Sequence, residues 1–559
     1  MLWTQIYDPL GHWWLSSLAA AVPILVLLGL LAGFKARPHI CALAGAGSAI
    51  LCAIVIFGMP VRLAAMSFAY GVSFGLLKIV WIVVAAVYLY DISVDTGQFE
   101  IMKYSVAAIT QDRRLQLLLV AFCFGAFIEG AAGFGAPVAI SGAFMIGLGF
   151  EPFHAAALNL IANTAPVAWG AIGTPVHTLA VVSALPESDL NAMIGRILPF
   201  MAAIVPFWLV RAMVSWAETF EVLPAILVVG LSFAGTQYFW SNYMDSNLVD
   251  IVSGIVSIAA TLLFLRLWQP KRIWRFPHER GAVAAPAPAV ETNHYTGLQI
   301  TRAWLPFAVL SVFVLIWGLP SIKFMMGHLT TPAFERGGWE VPLLHNTVLR
   351  APPVVTKPMP EPALFDLNWL TATGTGCFFA ALVAGALLGV APKRLAAIFL
   401  YTVRRMRLAI IAMACMLGLG YVTRYSGMDA VLGLAFTRTG WLYPFFGTYI
   451  GWLGVALTGS DTSSNALFGG LQRFTAQQLR LSPILMCATN SAGGVMGKMI
   501  DAQSITVATA ATNQVGNEGI IFRFVFWHSV ALAAIVGVIV LLYAYVFPQL
   551  IPHGLTFVR

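Results

Sequence analysis

Unbroken apolar stretches long enough to cross a hydrocarbon layer recur along this chain, at about 15–33, 40–58, 66–90, 195–215, 222–240, 249–268, 303–320, 370–390, 408–423 and 522–547. A soluble core cannot absorb so many stretches of this length. Charge tells the same story: 10% of the 559 residues are charged and 59% are apolar, where soluble domains carry about 25% charge. Lipid is therefore the solvent for most of the chain, and soluble enzymes, nucleic-acid binders and disordered scaffolds are excluded together. The formal charge of +8 is no nucleic-acid signal, because the bases sit in short segments between spans. The expected fold is an all-α polytopic membrane protein with about 12–14 helical spans, broken or re-entrant helices included.

Two further zones, 115–184 and 441–515, are apolar but punctuated by Gly, Pro, Asn, Ser and Thr. They read as helices that stop inside the membrane and turn. Polar segments fall at 269–302, with an Ala/Pro-rich linker, at 321–368, long and Pro-rich, and at 391–407, short and strongly basic. The segment 266–302 carries Arg266, Lys271, Arg272, Arg275, Arg280 and Arg302, and 391–407 carries Lys393, Arg394, Arg404, Arg405 and Arg407. Both are expected on the cytoplasmic side, with 321–368 external. Lys35 and Arg37 place the first turn inside and the N-terminus outside. No basic residue precedes the first apolar stretch, which reads as a retained span rather than a cleaved signal.

An internal duplication accompanies this pattern. GAFIEG at 125–130 answers GVALTG at 454–459, Thr96-Gly97 answers Ser426-Gly427, and NTAPVAWG at 163–170 answers NSAGGVMG at 490–497. Three straight spans precede each copy and one follows it, and the two copies enter the membrane from opposite sides. Residues 1–221 are thus expected as a first inverted repeat with its broken zone at 115–184, and 222–302 as connecting spans plus linker. Residues 303–559 follow as a second repeat, with the external loop 321–368 and the broken zone 441–515. Two inverted structural repeats are the architecture of secondary transporters.

Broken helices survive in lipid only where protein or a wet cavity satisfies their backbone. Half-helix N-termini suit a carboxylate. Two facing breaks would make a midplane site for a small organic anion. In the first break, IEGAAGFGAP (128–137), Gly133 and Gly135 permit close backbone approach. Glu129 has no charged neighbour for a long way upstream; burial there penalises its ionised form and makes it a candidate proton carrier. In the second break, TGSDTSSNA (458–466), Ser460, Thr462, Ser463, Ser464 and Asn465 offer hydroxyls and an amide to a hydroxy acid. Asp461 is the second candidate for proton coupling, with helix capping as the plain alternative. Asn163-Thr164 and Asn490-Ser491 are expected at half-helix tips, facing substrate. Lys498 is a candidate to neutralise a substrate carboxylate, against a local pair with Asp501. Lys78 and His177 read as intramembrane titratable groups of structural or functional use, and Arg424 and Arg438 as anchors or entrance charges.

The six cysteines lie singly in apolar stretches with no CxxC, so neither a disulfide framework nor a metal site is expected. There is no GxxxxGK[ST] and no TVGYG-like filter. No cofactor and no enzymatic activity are expected; the expected partners are a small organic anion, a proton and the bilayer, with a homo-oligomer compatible.

The stretches YDPLGHWWLSS (7–17), ISVDTGQFEI (92–101), FCFGAFIEGAAGFGAPVAI (122–140), NTAPVAWGAIGTP (163–175), GWLGVALTGSDTSSNALF (451–468) and GKMIDAQSI (497–505) resemble the lactate permease family nearly end to end. The resemblance implies proton-coupled uptake of 2-hydroxy monocarboxylates (L-lactate, D-lactate, glycolate) across the bacterial inner membrane. It also implies the inverted repeats and re-entrant hairpins of a wider ion-transporter superfamily. In that superfamily Ser-Asn-Thr-like tips bind substrate and cation. Asn163-Thr164 and Ser464-Asn465 resemble fragments of such tips, although neither copy keeps the triplet in order. A passive anion channel and a sodium-coupled carboxylate carrier are the alternatives.

Overall fold

The computed structural model describes residues 2–30, 37–107, 109–131, 133, 136–279, 295–318, 322, 324–327, 338–355, 357–365, 367, 369–514 and 517–552. Gly135, Lys35, Arg280 and the Ala/Pro-rich linker therefore lie outside the described residues, as does the side chain of Lys78. Among the described residues, eight helices are long and apolar enough to cross a membrane. A pair bent by 64°, Pro152–Ala162 with Val167–Ser183, forms a ninth span if taken as one. Trp13–Leu27, His39–Val55, Pro137–Gly147 and Gly374–Leu387 are shorter apolar helices. Large apolar side chains such as Leu51, Val55, Leu231, Leu263 and Trp527 are exposed on the outer faces, as lipid contact requires. The chain is a multi-pass membrane protein. Its strands are short pairings of the N-terminus with the loop before residue 366: Trp3–Thr4 beside Val348–Arg350, Val348–Arg350 beside Met359–Pro360, and Trp339–Glu340 beside Leu364–Phe365.

In the first half, α1 (Trp13–Leu28), α2 (Pro38–Val55), α3 (Val61–Asp95) and α4 (Gln98–Ala107) precede the interrupted zone. That zone holds α5 (Arg113–Ala131), α6 (Ala136–Gly147), α7 (Pro152–Ala162) and α8 (Gly170–Ser183), and the long α9 (Glu187–Met213) closes it. α10 (Leu223–Tyr243) and α11 (Val249–Leu267) connect the halves. The second half repeats the order: α12 (Gly297–Gly318), α13 (Thr373–Leu387), α14 (Pro392–Ser426) and α15 (Met428–Phe436). Its interrupted zone is α16 (Tyr443–Thr458), α17 (Asp461–Gln478), α18 (Pro483–Gly497) and α19 (Ala502–Ala511), closed by α20 (Glu518–Tyr545). α3 and α14 are both 35 residues long, and both stop before a left-handed glycine, Gly97 (φ 71°) and Gly427 (φ 86°).

The halves interlock reciprocally. α1 packs on α15 and α12 on α4; α2 packs on α14 and α13 on α3; α6 packs on α19 and α17 on α8; α7 packs on α20 and α18 on α9. The long helices α3 and α14 pack on each other.

Two boundaries differ from the sequence reading. The basic segment 391–407 is not a loop but the first half of α14. Lys and Arg are good helix formers, and Arg394 and Arg405 pair from this helix with Asp95 and Asp91 of α3. Asn490 and Ser491 lie inside α18, and the break comes later, at Lys498–Asp501. No breaker stands at 490, whereas the Asp501 side chain accepts the Ser504 N–H (2.7 Å) and starts α19.

Candidate functional site

Each interrupted zone builds the same two devices. α5 and α6 fold back on each other as a hairpin, with Ser141 beside Gly125. α16 and α17 do likewise: Ser464 Oγ donates to Gly451 O (3.2 Å) and Gln472 Nε2 to Gly447 O (2.8 Å). The second tip turns at Gly459 (φ 71°), and Ser460 Oγ caps α17 by accepting the Ser463 N–H. α7–α8 and α18–α19 are the broken spans. The whole apolar stretch of α5 is buried, packed against Val249–Leu267 as well as α6 to α9, which meets the demand that non-helical backbone at this depth be surrounded by protein.

The tips and breaks meet around one small, partly open pocket. Glu129 and Gly133 reach it from the first hairpin, and Gly459, Ser460, Asp461 and Thr462 from the second. Val167, Gly170, Ala171 and Pro175 reach it from the first broken span, and Lys498 from the second. Ala171, Ile172 and Gly173 are left-handed in succession (φ 45°, 57° and 68°), a run that costs of order 1–3 kcal/mol at each non-glycine residue. Right-handed helix resumes at Thr174, so the first turn of α8 opens beside Pro175 at the cavity wall. α17 begins there too. From this start α8 and α17 run parallel: Asn465 Nδ2 donates to Pro175 O (3.1 Å), and Arg473 Nη1 to Ser183 O (2.6 Å).

The cavity is rich in buried charge. Glu129, Asp461 and Lys498 are all buried. Lys498 Nζ donates to Gly459 O, tying the second break to the second tip, and stands 3.6 Å from Asp501 Oδ2. Its positive field also acts on Glu129 and Asp461. Asp461 Oδ2 accepts from Ser491 Oγ and from Asn465 Nδ2 (3.3 Å), while Oδ1, against Gly494, has no hydrogen-bond partner among the described residues. Glu129 Oε2 also lacks a partner, and the Asn163 amide lies against this carboxyl without a hydrogen bond of ordinary geometry.

Of the residues singled out in the sequence, Glu129, Gly133, Ser460, Asp461, Thr462 and Lys498 line the cavity. Others stand behind it. Asn490 Nδ2 donates to Asn465 Oδ1 (2.9 Å) and Ser464 Oγ (3.4 Å), and Gln472 Nε2 donates to Asn490 Oδ1 (3.3 Å). Thr164 Oγ1 donates to Ile161 O (2.8 Å). Ser464, Asn465, Asn490 and Thr164 thus spend hydrogen bonds on the protein itself. His177 bonds Glu187 (2.9 Å) and Asn247 (2.8 Å). Arg438 lies over the Trp13 ring. Gly170, Pro175 and Gly459 were not singled out as site residues; the glycine-rich punctuation was the signal available for them. Among the described residues no group of three or more His, Cys, Asp or Glu is placed to hold a metal ion.

A second small, partly open pocket lies at the far end of α8 and α17, lined by Gln5, Val182, Arg350, Arg424, Asp429, Gly470 and Arg473 among others. Glu361 pairs with Arg350 (2.6 Å) and Arg424 (2.7 Å) at its rim. Between the cavities, Val182, Leu417 and Ala466 form a small dry cluster. Along α17 the order is Thr462 at the inner cavity, Ala466 in the cluster and Gly470 at the outer one, a separation of about 12 Å at 1.5 Å per residue.

This chain matches the family L-lactate permease over residues 16–547. It is 45% identical to glycolate permease GlcA of Escherichia coli (strain K12), over 98% of this chain and 98% of that protein. It is 44% identical to the L-lactate permease of the same strain, over 99% of this chain and 100% of that protein. The L-lactate permease of Bacillus subtilis (strain 168) is 43% identical, again over 99% and 100%. Matched from α1 to α20, this chain belongs to the L-lactate permease family.

Proposed function

We propose that this chain is a secondary active transporter that imports short 2-hydroxy monocarboxylates (L-lactate, D-lactate and glycolate) by proton symport across the bacterial inner membrane, with its N-terminus outside. The observation that carries the reading is the meeting of both hairpin tips and both helix breaks around one pocket with two buried carboxyls and a buried lysine. The names of relatives at 43–45% identity support the substrate class. The reciprocal packing of the halves supports two inverted repeats related by a twofold axis.

The substrate carboxylate binds at the first turns of α8 and α17 with Lys498 as counter-charge. Ser460 and Thr462 hydrogen-bond its hydroxyl, and Gly133, with Gly135 beyond it, lets backbone approach. Asn163 turns its amide to the same space. Ser463, Ser464, Asn465, Asn490 and Ser491 hold the second tip in shape, and Thr164 the first break. Glu129 and Asp461 carry the coupled proton, so that the anion leaves the cavity neutralised. The hairpins and broken spans move together against the straight spans.

The test is uptake of labelled lactate into proteoliposomes of the purified chain. Accumulation driven by an inward proton gradient without sodium is expected. Accumulation that follows sodium at constant pH replaces the proton by sodium, and equilibration without accumulation makes the protein a passive channel.

A further inference from the structure

Glu129 has a companion outside both interrupted zones. Asp250 stands on the first turn of α11, in the connector, and is fully buried. Neither of its carboxyl oxygens has a hydrogen-bond partner among the described residues, and the charge that acts on it is that of Glu129. The contact is made at the residue next to Glu129: a Cβ on Gly130 would lie 2.8 Å from Asp250 Cβ and 2.9 Å from Ile251 N. The tip of the first hairpin thus rests directly on the start of α11.

An ionised carboxylate without donors in such surroundings costs several kcal/mol, and a second carboxylate beside it adds repulsion. Two carboxyls in one buried neighbourhood repel when both are ionised, so one of them is kept neutral by a proton. The other charged and titratable groups lie to either side. Lys498 and Asp501 act on Glu129 from the cavity. Asp245 caps the turn before α11, accepting the N–H groups of Asn247 and Leu248. His177 of α8 bonds both Asn247 on that turn and Glu187; the side chains of His177 and Glu187 are 15% and 40% exposed, so this side reaches solvent.

We propose that Asp250 is the second proton-carrying group of the transporter, exchanging one proton with Glu129 and reloading from the His177–Glu187 side. The protonated Asp250 carboxyl gives its proton to the Glu129 carboxylate and is left as carboxylate. A proton from solvent at His177–Glu187 restores it, while the proton on Glu129 leaves with the substrate anion. This role rests on the proton-symport reading above. It makes the connector part of the coupling machinery instead of a passive link.

The experiment uses the full chain in proteoliposomes, comparing wild type, Asp250→Asn and Asp250→Glu. For Asp250→Asn, accumulation driven by a proton gradient falls by about a hundredfold, the usual scale for a lost acid–base group. Lactate counterflow, which needs no net proton release, persists. Asp250→Glu recovers part of the accumulation. In pH-difference infrared spectra the wild type shows a carboxylic C=O band that Asp250→Asn loses, that Asp250→Glu shifts and that Glu129→Gln perturbs. Wild-type accumulation by Asp250→Asn, or an unchanged carboxylic band in both Asp250 variants, overturns the proposal. If the wild type itself shows no proton-driven accumulation, the symport reading fails instead, and the infrared comparison still reads whether the two carboxyls share a proton.

Discussion

Gly170 backs directly onto Glu129: a Cβ at position 170 would lie 2.5 Å from the Glu129 carboxylate oxygen Oε1. The backbone of the first break is therefore the wall against which this carboxyl rests. Gly170→Ala is expected to displace Glu129 and cut lactate uptake by about tenfold or more, since small misplacements at a working site are costly. Gly235→Ala, where nothing lies within 4 Å of the added carbon, gains helix propensity and leaves uptake unchanged. Initial rates at matched protein content check both.

Asn490 knits α17 to α18. Its replacement by alanine strands Asn465 Oδ1 and takes the partner from one Gln472 N–H, the other bond to Gly447 O remaining, and an unmet buried polar group costs about 1–3 kcal/mol. Asn490→Ala is expected to lower Tm in detergent, with lactate affinity changed less than stability. Thermal melts with and without lactate separate the two effects.

Glu361, in the loop outside the spans, sets an acid limit. Burial opposes its ionisation, but Arg424 and Arg350 outweigh that and hold its carboxyl below the usual glutamate range. A depressed value in the folded state means the stabilisation is present above the unfolded value of about 4.3 and is lost as pH falls below it. Wild-type Tm is expected to drop on acidification through this window. Glu361→Gln, already lacking the carboxylate between two arginines, starts lower and shows less of that drop. Melting curves across pH 3–6, about the span of such a titration, provide the check.

Arg114 locks the base of the first hairpin to the connector. Its buried guanidinium bonds Asp112 (2.8 Å), Glu221 (2.9 Å) and the carbonyls of Glu218 and Arg272. Removing one partner of a buried ion pair typically costs about 3–5 kcal/mol. Arg114→Ala is expected to reduce folded yield and Tm sharply, while Arg114→Lys, lacking the planar fork, recovers only part. Fluorescence-detected gel filtration with a heat step measures both.

The span pattern was legible because lipid leaves a coarse signature: length and apolarity alone located α1 to α3, α9 to α14 and α20. The interrupted zones were legible through their glycines and polar residues, and Glu129, Asp461 and Lys498 stood out because charge inside apolar sequence is rare. Other features depended on partners distant in sequence. The basic half of α14 looked like a loop because its counter-charges, Asp91 and Asp95, lie on α3. Pairing α7 with α18 by their starts gives a register four residues from the sequence pairing of Asn163 with Asn490. α7 and α18 begin at 152 and 483, which aligns Asn490 with Asn159, not Asn163. Asn159 Nδ2 indeed ties α7 to α6 through Val138 O (2.8 Å), as Asn490 ties α18 to α17. Asp250 was not singled out in the sequence; the approach of Gly130 reveals its setting.

The thin dry cluster of Val182, Leu417 and Ala466 bears on electrical work. Where water fills the recesses on either side of it, the membrane voltage would fall mainly across this short barrier. A bare anion crossing the full field meets about 2.3 kcal/mol per 100 mV. An anion travelling with its proton crosses without that toll, so inward passage need not fight an interior-negative cell.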